Sequence, residues 1–186
     1  MRPFGGILAF FALFLGSPAA ALAPEVAWFR EVCAGGVPTK PRLADLGWRA
    51  LDPRSHPPLA QIWAGLAAPE FATMGPMEHA AYVRREGGME LHLVISTGAL
   101  LLEDRPAPFM QCRAFRFDAT APLPPNAFEG WPAAASRRIP PGLVRYRRGS
   151  VKNTGVRYSY NPPEPASGRL LGPPGITLSM ISVNGF

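Results

Sequence analysis

The chain has 186 residues, of which 23 are proline and 19 glycine, and carries a formal net charge of +6. This length suits one domain with a substantial core and excludes a comfortable pair of domains. Lysine occurs only at Lys40 and Lys152, and the dominance of arginine, with abundant Ala, Gly and Pro, points to a high-GC bacterial genome.

Residues 1–21 read as a cleavable secretory signal peptide. Arg2 supplies the positive start, the run from Phe4 to Leu15 is uninterruptedly apolar, and Gly16-Ser17-Pro18 breaks it before the small residues Ala19 to Ala23. Cleavage after Ala21 is favoured over Ala23, which would leave Pro24 at the new terminus. The apolar run is shorter than the roughly 20 residues a spanning helix needs, and Cys33 lacks the small-residue box of a lipidated cysteine. Residues 22–186 are therefore expected to form a single released domain, periplasmic or secreted, that does not span a membrane.

Within that domain, Val26, Phe29, Val32 and Cys33 recur at helical spacing between Pro24 and Gly35-Gly36, which predicts a helix over 24–34. A further helical turn is expected at 43–46. Pro57-Pro58 then opens a helix carrying Leu59, Ile62, Trp63 and Leu66 on one stripe. From His79 the period changes to two. Residues 79–85 and 89–97 flank Glu86-Gly87-Gly88 as a β-hairpin, for which a three-residue loop pairing Arg84 with Glu90 is expected, since a two-residue loop would set Arg84 opposite Leu91. That register places Ala81 and Val83 with Leu91, Leu93 and Ile95, and turns His92 outward opposite Tyr82. Glu103-Asp104 reads as a turn, 109–117 as a central strand, and 124–135, with Phe128 and Trp131, as a short helix or packed loop. Strands at 143–148, 156–160 and 176–183 follow, with a Pro- and Gly-rich loop over 161–175. The expected fold is α+β: an antiparallel sheet of five to six strands with two or three helices on one face.

Cys33 and Cys112 are the only cysteines. In an oxidising compartment such a pair is expected to be bonded. No CxxC exists, and two thiols without nearby histidines make no zinc site. No metal and no cofactor are expected. His56, His79 and His92 belong to no HExxH or HxH element, and no GxSxG or SxxK motif accompanies them.

Positive charge gathers in the C-terminal third. From residue 121 onward Glu129 and Glu164 face Arg137, Arg138, Arg145, Arg147, Arg148, Lys152, Arg157 and Arg169. A hairpin of 143–148 with 155–160 would put Val144, Tyr146, Val156, Tyr158 and Tyr160 on one face. Arg145, Arg147 and Arg157 would project from the other, with Arg148 and Lys152 near its turn. Such a row can grip carboxylates or phosphates through bidentate hydrogen bonds; it can equally be a solvated face that blunts a sheet edge.

The segment Trp28-Phe29-Arg30-Glu31-Val32-Cys33, Gly47-Trp48 and a single strand cysteine at Cys112 resemble a group of small exported two-cysteine proteins of alphaproteobacteria. The resemblance covers roughly the first two-thirds of the mature chain. It implies a two-cysteine α+β domain and carries over no catalytic residues. The expected function is a non-enzymatic binding or accessory protein, contacting an anionic envelope component or a protein partner through Arg145, Arg147, Arg148, Lys152 and Arg157. Export removes nucleic acid from the partners of that basic surface. The alternative is a small hydrolase whose site assembles from scattered residues.

Overall fold

The computed structural model describes residues 23–34, 36–66, 77–102, 105–124, 127–128, 135–139, 143–147, 155–163 and 173–183. Its elements are helix α1 (Pro24–Cys33), α2 (Lys40–Asp45), a two-residue strand β1 (Arg49–Ala50), a 3-10 turn (Pro53–Ser55), α3 (Pro57–Leu66), β2 (Met77–Glu86), β3 (Met89–Leu102), β4 (Arg105–Arg116), β5 (Ala135–Ile139), β6 (Leu143–Arg147), β7 (Gly155–Asn161) and β8 (Gly175–Val183). Six strands form one antiparallel sheet in the order β1-β2-β3-β4-β8-β7, and β5 and β6 pair separately. The α+β architecture with an antiparallel sheet is as the sequence predicts. Residues 1–21, Glu103-Asp104, Trp131, Arg148 and Lys152 lie outside the described residues.

Alternation sends two sets of side chains to opposite faces of this sheet. One face carries Tyr82, Leu91, Leu93, Ile95, Met110, Cys112, Ala114, Tyr158, Leu178 and Met180, all buried with Val26, Phe29, Val32 and Cys33 of α1 and with Leu43 of α2. Pro24 at the first helical position and Glu25 in the first turn start α1 where a missing N–H and a negative charge are tolerated best. Thr39 caps α2. The Cys33–Cys112 disulfide, with Cα atoms 6.0 Å apart, ties α1 to the middle of β4. At the other end of α1 the buried Glu25 carboxylate accepts from Arg116. Tyr158 accepts a 2.6 Å hydrogen bond from the Leu123 N–H, which holds the segment after β4 against the same face.

The opposite face carries Ala81, Val94 and Phe115, and α3 covers it with Leu59 and Leu66. The helices therefore lie on both faces, two on one and α3 on the other, where the sequence suggested one. The reason is the hairpin register. Arg84 pairs with Leu91, Arg85 with Glu90 and Glu86 with Met89, which leaves a two-residue turn at Gly87-Gly88. Both glycines have positive φ, 60° and 79°, the backbone that a tight hairpin turn requires. A shift of one residue exchanges faces, so Ala81 and Val83 join His92 and Val94 rather than Leu91 and Leu93. The expected obstacle, an arginine beside Leu91 on the core side, is resolved by α1. The Arg84 guanidinium lies 4.1 Å over the Trp28 ring and pairs with Glu31 at 3.4 Å and Glu86 at 2.8 Å.

Candidate functional site

His92 follows from this register. It pairs with Val83 and Phe115, not Tyr82, and its side chain is 3% exposed on the α3 face. Glu90 stands two residues earlier on β3 and so shares that face. His56 arrives from the other direction: it ends the 3-10 turn capped by Asp52, and its carbonyl accepts the Ala60 N–H at 2.9 Å in the first turn of α3. The fold thus brings together two histidines that no local spacing connects.

The geometry is close-knit. Glu90 Oε1 lies 3.1 Å from His92 Nε2 and 3.9 Å from His56 Nε2, and one donor atom from each residue falls within 4.8 Å of the others. The two imidazole centroids are 4.1 Å apart, and Phe117 lies 5.1 Å from each ring, stacked on His56. Nδ1 of both rings is buried and has no hydrogen-bond partner among the described residues. Arg85 hydrogen-bonds the Glu90 carboxylate from the neighbouring strand.

Glu90 and His92 are held in the protonation states that suit a metal ligand. Burial, then the charge of His56, lowers the His92 pKa to about 4, with Glu90 opposing. The hydrogen bond from Arg85 holds Glu90 below the usual carboxylate range, aided by His92 and His56. At neutral pH His92 is a neutral imidazole beside a carboxylate. Donors about 2.0–2.1 Å from a tetrahedral ion stand about 3.3 Å from one another. The two carboxylate–imidazole separations bracket that value, and the whole donor set lies within 4.8 Å. Two imidazoles and a carboxylate are the donor set of a divalent first-row transition metal, and three protein ligands leave a position open.

The third histidine lies further along the same face. His79 Nδ1 is 2.8 Å from Ser96 Oγ, and Trp63 of α3 meets the ring edge-on at 5.8 Å. Burial, then Arg113, lowers the His79 pKa. Ser96 is 1% exposed, and among the described residues no carboxylate orients His79. The pair ties β2 to β3.

The arginine strands β6 and β7 lie close beside each other, and each also pairs with a further strand. β6 pairs with β5, placing Arg145 opposite Arg137 and Arg147 opposite Ala135, whereas β7 pairs with β8. Tyr158 and Tyr160 of β7 bury against the core of the larger sheet, next to Leu178 and Ile176. Arg157 is exposed on the α3 face of the sheet. No helix among the described residues is long and apolar enough to cross a membrane.

Sequence reasoning passed over the histidines because it sought contiguous motifs. The signal present was Glu90-Leu91-His92 on a strand, two potential ligands on one face. Nothing local announced His56. No family model, curated protein or solved structure matches this chain.

Proposed function

We propose that this is an exported, non-enzymatic binding protein that takes up a divalent first-row transition metal through His56, Glu90 and His92. The observation that carries the reading is the convergence of three donor atoms from two elements, Glu90 and His92 on β3 and His56 at the entry to α3, with His92 buried and neutral. The leader at residues 1–21 and the disulfide, which is consistent with an oxidising compartment, support export to the periplasm or beyond. Calorimetric titration of the disulfide-bonded protein with zinc at pH 7.5 tests it. One ion per chain should bind with a Kd below about 10 µM, weakened at least 100-fold in His56→Ala and in His92→Ala. Absence of binding, or unchanged affinity in both variants, would overturn the assignment.

The basic C-terminal strands favour a second role, contact with an anionic envelope surface through Arg145, Arg147, Arg148, Lys152 and Arg157. Its support is the exposure of Arg157 on the outermost strand of the sheet. Binding to phosphatidylglycerol vesicles should appear at 20 mM salt and fade by 300 mM, as screening shortens the reach of exposed charge. No binding at the lower salt would remove this role.

A further inference from the structure

Beyond the metal centre, the α3 face of the sheet holds a second opening. A cavity lies beside the last turn of α3, walled by Leu66, Met77, Phe109 and Ile181. Its polar lining is His79, Gln111 and Arg113. Strand register explains why these residues meet. His79, Ser96, Gln111 and Ile181 are successive neighbours across β2, β3, β4 and β8. Ala81, Val94, Arg113, Ser179 and Arg157 form the next row and continue it to β7. Two arginines therefore share one row of one face, with only Ser179 between them.

Arg113 is the unusual group. Its guanidinium is half-buried and donates to Gln111 Oε1, yet no carboxylate pairs with it among the described residues. An arginine cannot shed its proton to escape such a site. Burying a cation without an anion is costly, and supplying one relieves that cost. His79 does not compete for the anion, since burial and the Arg113 charge keep its ring neutral and Ser96 already holds its Nδ1.

We infer that this cavity binds a small carboxylate bearing a short alkyl chain. The carboxylate would lie on the Arg113 fork, and the chain would lie among Leu66, Met77, Phe109 and Ile181. Planar bidentate pairing suits a carboxylate. The apolar walls favour an alkyl tail over a fully hydrated inorganic dianion, which they would strip of water. This inference is independent of the metal assignment, because no residue is shared between the two sites.

Butanoate is the probe, with butan-1-ol, butylammonium and inorganic phosphate as comparators, each titrated into the full-length, disulfide-bonded protein and followed by 1H–15N NMR. Butanoate should saturate with a Kd of about 1 mM, a value typical of a ligand with so few atoms. The alcohol, the amine and phosphate should each bind at least 10-fold more weakly. Arg113→Gln should weaken butanoate at least 10-fold. Phe109→Trp, which fills the cavity and leaves the charge, should do the same, and either variant alone suffices if the other fails to fold. His56→Ala should leave butanoate binding unchanged. No binding by the wild type, equal binding of phosphate, or butanoate affinity untouched in a folded variant would overturn the inference.

Discussion

Lowering the pH should destabilise this protein through His92, and the size of the effect can be worked out. The ring titrates near 6.5 in the unfolded chain and at about 4 in the folded one. A depressed histidine pKa gives stability that is fully present above the unfolded value and is lost as pH falls through 6.5 towards 4. The whole shift is worth about 3 kcal/mol, at 1.36 kcal/mol per unit. About 2 kcal/mol of it should disappear between pH 7.5 and pH 5. The perturbation is His92→Gln, which retains polarity and cannot titrate. The assay is urea denaturation of both proteins at the two pH values, with chelator present so that metal does not contribute. Differencing wild type against variant removes the groups common to both. Its sign is fixed: the wild type should lose more stability on acidification than the variant. Equal losses would refute the assignment of a buried, neutral imidazole at this position. A larger loss in the variant would show that Glu90 outweighs burial and holds the proton on His92.

Three further outcomes follow from the same structure. Opening the disulfide with Cys33→Ala and Cys112→Ala, which are 79 residues apart, should lower stability by about 4 kcal/mol in the loop-entropy description, read as a shift in the urea midpoint. Gly175→Ala should cost at least about 2 kcal/mol, because φ is +86° there and an added Cβ would lie 2.0 Å from the Arg116 carbonyl oxygen. An unchanged thermal midpoint would contradict that approach of β8 to β4. Zinc should also slow amide hydrogen exchange along α3, since His56 leads into this helix, whose fully buried anchors are Leu59 and Leu66 with Ile62 and Trp63 partly buried. Zinc binding without added protection there would show that α3 is already fully docked.

Much of the scaffold was legible because the relevant interactions are local. Pro24 and Gly35-Gly36 mark the helix from both ends, and Pro57-Pro58 starts another. Glycines mark the hairpin, and two cysteines have only each other to bond within the chain. The hairpin register was harder. The choice between a two- and a three-residue loop rested on keeping Arg84 away from Leu91. What permits that neighbourhood is Trp28 and Glu31, on a helix far away in sequence.

The sequence by itself determined the α+β composition, the expectation of a disulfide, and the alternation that gives each strand two faces, because these depend on periodicity and on side-chain type. Only the tertiary structure decided which face is which. A single-residue shift at Gly87-Gly88 moved His92 from solvent to the α3 side, and packing of α3 then carried His56 to Glu90. It also placed β7 beside β8, where Tyr158 and Tyr160 bury against the core of the larger sheet. Both candidate sites therefore rest on long-range register, which no local pattern encodes.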